Sequence, residues 1–295
     1  MPSPESKKAK LELQKEQFDA SVSLSDERAD WNAFSLQLPI AQSVTIENKT
    51  LGGVECALLT PQASEHKALI LYAHGGGLTA GSIITHRSFA AELAEATRCC
   101  VILPDYRLLP ENPISAPSDD LIAVFLDLVE AEESTNRPVF LGGDSSGAGL
   151  AITAMTRLRD QGTPPPSGCF SISGAFDATL SGNSMTERDA DDPVLSLDVL
   201  RHWQSHFVKD FAFDDPLISP LFADLSGLAP TLLMVGEDEV WFDDSVRMHS
   251  ALSQAGSVSK LRTFEEMWHV WPMTSGLPET EEAFALISNF IRQYS

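Results

Sequence analysis

The chain has 295 residues, 43% hydrophobic and 21% charged, the balance of a globular protein large enough to bury a full core. Its formal net charge of −22 argues against nucleic acid and anionic membrane surfaces as partners, since both are polyanions, and favours neutral substrates over anionic ones.

No apolar stretch approaches the ~18 residues of a membrane span, and Met1 to Lys15 lacks the apolar core of a secretion signal. The four cysteines, Cys56, Cys99, Cys100 and Cys169, have no metal spacing. Cys99 and Cys100 are adjacent in an apolar run and read as buried free thiols. A cytoplasmic protein is expected.

Residues 1–40 are polar, with a weak helical pattern over 6–18 that ends at Phe18. Residues 43–46 and 53–59, separated by a polar turn, predict an antiparallel hairpin. Short apolar, β-rich runs then recur at 67–74, 100–106, 138–145, 169–174, 231–238 and 261–265. Between them 86–97, 119–133, 148–161 and 243–255 predict helices, and 280–293 predicts a last one with Thr280 as N-cap. Strands alternating with helices imply βαβ units and a mostly parallel sheet, eight-stranded once the hairpin is added.

Residues 180–215 break that rhythm, carrying Leu195, Leu197, Val199, Leu200, Trp203, Phe207 and Phe211 at near-helical spacing. This region and the N-terminal one are too long for simple connections. They are expected to pack together as a helical cap over the sheet's C-terminal edge, where doubly wound sheets bind ligands. The expected division is 1–40 as the N-terminal part of the cap, 41–180 and 216–295 as the α/β core, and 181–215 as the cap insertion.

Gly143-Asp144-Ser145-Ser146-Gly147 lies between the apolar run Val139-Phe140-Leu141 and the small-residue stretch Ala148-Gly149-Leu150-Ala151. It reads as strand, tight turn and helix with a serine at the apex, the nucleophile elbow of a serine hydrolase. Glycines two positions either side remove the side chains that the turn would bring into collision. His74-Gly75-Gly76-Gly77 follows an earlier strand and reads as an oxyanion loop, its backbone N–H groups acting beside that of Ser146. No Lys-Ser/Thr follows, so a phosphate loop is disfavoured.

The acid is expected after the strand at 231–235, in Gly236-Glu237-Asp238-Glu239, where position alone leaves Asp238 and Glu239 open. Asp243 and Asp244 read as N-terminal charges of the next helix. The base comes last in chain order, and His269 follows the final strand, flanked by Trp268 and Trp271 as candidate substrate contacts. His249 reads as a solvated helix residue, His66 as part of a polar turn and His86 as a helix start. His202 and His206 share an i, i+4 spacing that suits zinc, but the sequence offers no evident third ligand, so no metal is expected.

Together these motifs resemble the hormone-sensitive lipase family of bacterial esterases, across roughly residues 40–290. Asp105-Tyr106-Arg107-Leu108-Leu109-Pro110-Glu111, Asp120 and Asp215-Pro216-Leu217-Ile218-Ser219-Pro220 resemble further family segments. The resemblance implies an α/β-hydrolase fold with a helical cap, no cofactor, hydrolysis of short-to-medium-chain carboxylic esters, and a homodimer by analogy. It implies Ser145 as nucleophile, His269 as base and, from the spacing of Glu239-Val240-Trp241-Phe242-Asp243, Glu239 rather than Asp238 as acid. Gly75, Gly76, Gly77 and Ser146 correspond to the oxyanion hole, with Gly76, Gly77 and Ser146 as donors and Gly75 shaping the turn. Asn112, Ile114 and Ser115 depart from the family pattern, as does Ser146, which stands where alanine is common. The competing expectations are a serine peptidase or amidase on the same fold and, from another class, a non-catalytic receptor for a small ligand.

Overall fold

The computed structural model describes residues 1–13, 22–63, 68–132, 137–207 and 212–295. The expectations for Phe18, His66 and Phe211 lie outside the described residues. In chain order the helices α1 (Pro4–Leu13) and α2 (Leu24–Ser35) precede the hairpin β1 (Val44–Leu51) and β2 (Val54–Pro61). There follow β3 (Leu69–Ala73), α3 (Ile83–Thr97), β4 (Cys100–Pro104), α4 (Ala116–Glu132), β5 (Val139–Asp144), α5 (Ser145–Asp160) and β6 (Gly168–Ile172). The irregular region holds α6 (Ser184–Glu187) and α7 (Leu197–Ser205), and the chain ends with β7 (Thr231–Gly236), α8 (Phe242–Gln254), β8 (Ser259–Phe264) and α9 (Pro278–Tyr294).

The eight strands form one sheet in the order β1-β2-β4-β3-β5-β6-β7-β8. β1 pairs with β2, and β2 with β4, in antiparallel fashion, and every other pair is parallel. This is the α/β-hydrolase architecture.

The strands of the parallel part read as continuous apolar runs because the sheet is covered on both faces. Their period of two then sorts the side chains. Leu69, Leu71, Leu141 and Leu233 pack on one face beneath α4, α5 and α8, with Leu121, Phe125, Leu150, Met248 and Leu252. Ile70, Tyr72, Phe140, Phe170 and Met234 pack on the other beneath α3 and α9, with Phe89, Ile287 and Phe290. Each such side chain contributes about 1.5–3 kcal/mol by leaving water.

Local signals set the helix starts. Ser82 caps α3 by accepting the Ile84 and Thr85 N–H groups, while Thr85 Oγ1 accepts the Ser82 N–H at 2.9 Å. This capping box satisfies donors that a helix terminus otherwise leaves unpaired. Helix α9 opens earlier than expected, with Leu277 as N-cap and Pro278 in its first turn. Thr280 therefore does not cap it, and its hydroxyl donates to the Thr274 carbonyl at 3.0 Å. Helix α2 was not expected from the polar N-terminal sequence. Ser23 caps it, and Arg28 anchors it by donating to the Thr79 and Leu109 carbonyls at 2.6 and 2.8 Å and to Glu111.

The insertion between β6 and β7 has its own small core. Met185, Leu195, Val199 and Leu200 pack against Val240 and Trp241, just beyond β7. Helix α1 docks on α9, where the Ser3 and Ser6 hydroxyls donate to Glu279 Oε2 at 2.9 and 2.5 Å. Among the described residues, no helix is long and apolar enough to cross a membrane.

Candidate active site

Ser145 stands where β5 turns into α5, with φ at +51°. A side chain in that left-handed region costs of order 1–3 kcal/mol, which the surrounding fold must hold in place. The neighbours explain the two glycines. A Cβ on Gly147 would lie 2.2 Å from the Ala73 carbonyl oxygen, and one on Gly143 would lie 2.5 Å from the Gly147 backbone. The elbow fits between β3 and α5 only because both are absent.

The loop after β3 reaches the same place. Gly76 adopts φ +116°, and its carbonyl accepts the Thr79 and Ala80 N–H groups at 3.1 and 2.8 Å, folding the loop back on itself. Ser146, at the N-terminus of α5, ties this loop to the elbow, its Oγ accepting the Leu78 N–H at 3.2 Å. Gly75, expected to shape the turn of this loop rather than to donate, is turned inward. Its N–H is directed at Asp144 Oδ1 (3.1 Å) and His86 Nε2 (3.3 Å), so it braces the loop and does not offer a donor to a ligand.

Beneath the loop lies a buried polar network. Tyr72 donates to Asp144 Oδ1 at 2.9 Å, and His86 Nε2 lies 3.4 Å from the same oxygen. Burial raises the Asp144 carboxyl, but His86 and the Tyr72 hydroxyl outweigh it and hold the group below the usual carboxylate range. His74 stacks on Tyr106 with centroids 4.1 Å apart, and burial pulls its pKa down to about 3. His86, expected at a helix start, is fully buried inside α3, because α2 and the glycine loop close over it.

His269 follows β8, and Glu239 follows β7. His269 Nδ1 lies 3.2 Å from Glu239 Oε2. The other carboxylate oxygen, Oε1, accepts the Gly236 N–H at 2.6 Å and the Ser173 hydroxyl at 2.7 Å. Asp238 points elsewhere and pairs with Lys10 of α1. Burial pulls His269 down to about 4, opposed by Asp192 and Asp144, and burial raises Glu239 above its ordinary value despite its two donors.

Two residues here carried no sequence signal. Ser173 joins the pair to the backbone, since its Oγ also accepts the Val270 N–H at 2.9 Å. Asp192, from the insertion, accepts the Val240 N–H at 3.2 Å and the Val194 and Leu195 N–H groups. Burial pushes its pKa up to about 6, against the pull of His269.

Ser145, Ser146 and Gly77 border a cleft of about 630 Å³, partly open to solvent. Leu200, Trp203 and Phe207 of the insertion and Leu217, Ile218 and Trp241 also line it, and among the described residues no charged side chain does. Trp268 and Trp271 do not reach this cleft, contrary to the expectation from their position beside His269. Both are buried in the α3 and α9 face of the core, Trp271 against Phe264 with centroids 4.6 Å apart. Phe34 is exposed, and Trp31 packs edge-on to His86. Asp244 is also more than a helix-start charge, because its buried Oδ2 accepts the Phe176 and Asp177 N–H groups at 2.8 Å each.

The sequence and the fold have counterparts among known proteins. The alpha/beta hydrolase fold family matches residues 70–273. The chain is 35% identical to an esterase of Acinetobacter venetianus over 254 residues, 85% of this chain and 83% of that one. It is also 35% identical to an acetyl-hydrolase of Streptomyces hygroscopicus over 244 residues, 82% and 81% of the two chains. A solved esterase from the bacterial hormone-sensitive lipase family superposes with a TM-score of 0.92 at 30% identity, across 100% of this chain and 99% of that one. The chain thus belongs to the α/β-hydrolases and, within them, to the hormone-sensitive lipase family of bacterial esterases.

Proposed function

We propose that the protein is a carboxylesterase that cleaves neutral esters of short to medium acyl chain through an acyl-enzyme on Ser145. The observation that carries this reading is the placement of Ser145, at the strained elbow and the N-terminus of α5, facing a cleft that the described residues line with apolar and uncharged side chains. Such a cleft accepts an uncharged acyl group and disfavours an ionised one.

In the proposed reaction His269 Nε2 takes the Ser145 proton as Oγ bonds to the ester carbonyl carbon. The carbonyl electron pair moves to oxygen, where the N–H groups of Gly76, Gly77 and Ser146 stabilise it, aided by the positive end of the α5 dipole. Glu239 holds the Nδ1–H tautomer and offsets the charge of the imidazolium. His269 then protonates the leaving alcohol oxygen as the C–O bond breaks, and water repeats the sequence on the acyl-enzyme.

Residues 1–40 and 181–215 act as the cap in this reading, and 41–180 with 216–295 as the catalytic core. The buried thiols of Cys56, Cys99 and Cys169 support a cytoplasmic setting.

The test is fluorophosphonate labelling beside a series of chromogenic esters from acetyl to dodecanoyl. The expected result is stoichiometric label on Ser145 and turnover greatest for short and medium chains. Undiminished ester turnover by Ser145→Ala overturns the assignment.

A further inference from the structure

We propose that Glu27, His202 and His206 form a binding site for a zinc-class divalent metal, clasping α2 to α7 above the acyl cleft. The sequence exposes only the two histidines, one helical turn apart. The fold brings the third donor from a segment about 175 residues away, and ligand atoms of all three residues lie within 4.8 Å of one another.

The spacing is informative. His202 Nε2 and His206 Nε2 are 3.2 Å apart, with ring planes at 87°. Two nitrogens bound at 2.0–2.1 Å to a tetrahedral zinc ion stand about 3.3 Å apart. The imidazole pair therefore already holds the edge of a tetrahedron, and Glu27 has to close by at most about 1.5 Å to reach the same geometry. Trp203 Nε1 donates to Glu27 Oε1 at 2.9 Å, which already holds the carboxylate against the helix that carries His202. The neighbouring cation, Arg28, is turned toward Glu111 and the Thr79 and Leu109 carbonyls.

Two imidazoles and one carboxylate suit zinc and its transition-metal neighbours, whereas calcium and magnesium demand an oxygen cage. One carboxylate leaves the bound ion with a net positive charge, which a chain of net charge −22 favours. All three ligands are half-buried, so a water completes the shell. The site is a clasp rather than a second catalytic centre. Trp203 follows His202 and lines the cleft that Ser145 borders, so metal binding fixes the indole there as well as joining two helices.

The alternative is a direct N–H···N hydrogen bond between the imidazoles with no affinity for metal. Chelator-treated enzyme titrated with Zn²⁺ separates the two, by calorimetry and by thermal unfolding. The expected result is one ion per chain, with Tm rising about 5 °C at zinc a hundredfold above Kd. Co²⁺ is expected to give the visible bands of a tetrahedral site. Both signals should vanish in His206→Ala and weaken in Glu27→Gln, which lie on different helices, and persist in His249→Ala. Absence of stoichiometric binding, or binding unchanged in both His206→Ala and Glu27→Gln, overturns the proposal.

Discussion

Glu239 holds His269 with one oxygen and the backbone of its own turn with the other. Oε2 lies 3.2 Å from His269 Nδ1, while Oε1 accepts the Gly236 N–H at 2.6 Å. The carboxylate is thus fixed at both ends and cannot swing away from the imidazole. Asp238, one residue earlier, faces the other side of the turn and meets Lys10. Under the proposed mechanism Glu239→Gln lowers kcat by about 10⁴-fold and Ser145→Ala by about 10⁶-fold. Asp238→Asn leaves kcat within about twofold, since it removes only a part-exposed ion pair. Steady-state kinetics of the three variants check this, and a crippled Asp238→Asn beside a mild Glu239→Gln reassigns the acid.

Ser173 links Glu239 to the histidine loop, donating to Oε1 at 2.7 Å and accepting from Val270 N–H. Ser173→Ala removes a donor from a buried carboxylate and strands a buried amide. A hydrogen bond to a charged group is worth about 1.5–3 kcal/mol, so kcat should fall about tenfold to a hundredfold with KM little changed. The residue acts through Glu239, so the loss should largely disappear in a Glu239→Gln background. Additive losses in the double variant would place Ser173 outside this arrangement.

The amide of Leu78 depends on Ser146 Oγ, which accepts it at 3.2 Å. In Ser146→Ala the backbone donor of the elbow survives, but the glycine loop loses its tie to α5. The expected cost is about 1 kcal/mol of stability, a Tm lower by roughly 2–4 °C, with a kcat loss of up to about tenfold as the loop loosens. Calorimetry and kinetics on one preparation measure both. An unchanged Tm and an unchanged kcat would mean that Leu78 finds another acceptor.

The sheet was legible because strands covered on both faces must be apolar throughout, and the periodic helices between them leave few other topologies. Ser145 and His269 stood out as candidates for a related reason, each following an apolar strand, whereas position left Glu239 and Asp238 open and only the family resemblance favoured Glu239. Ser173 was not legible. Its sequence neighbours Ser171 and Gly174 give no hint of a partner, and the residues it bonds lie 66 and 97 positions away. Trp268 and Trp271 misled because adjacency to His269 says nothing about direction. The backbone turns left-handed at Val270, φ +53°, and sends both indoles into the core while the imidazole faces Glu239. That Asp144 and His86 take the Gly75 N–H was not legible either, because the fold alone brings these partners to the loop.

The cleft sets an acyl-length preference that one substitution should shift. Ala178 lines it, half-buried, and its Cβ is small. Each acyl methylene that leaves water contributes about 0.8 kcal/mol, so kcat/KM should rise up to about fourfold per carbon until the cleft is filled. Ala178→Leu fills part of that space. Its plateau should come at a shorter chain, with acetyl ester turnover nearly unchanged. A wild-type profile across an ester ladder, repeated with the variant, measures the shift, and identical plateaus would place the acyl chain elsewhere.

Asp244 offers a prediction about pH and stability. Its carboxyl is fully buried, and burial pushes its pKa up to about 8, against the Phe176 and Asp177 N–H groups and with Asp177 adding to the rise. Among the described residues Oδ1 has no hydrogen-bond partner, and it lies 3.9 Å from Arg247 Nη1, which is bonded at 2.7 Å to Asp177 instead. An unfolded aspartate titrates near ~3.9, so between about pH 4 and pH 8 the native state holds a proton that the unfolded state has released. Stability contributed by this group is therefore fully present below the unfolded value and is lost as pH rises through the native one, by at most about 1.4 kcal/mol per pH unit. Asp244→Asn keeps an acceptor for the two amides and cannot ionise. Its Tm should fall less steeply than that of the wild type between about pH 5 and pH 8, so that the variant gains relative stability toward the alkaline end. Parallel Tm–pH slopes in the two proteins would mean that Asp244 is already ionised in the folded state at neutral pH, paired with Arg247.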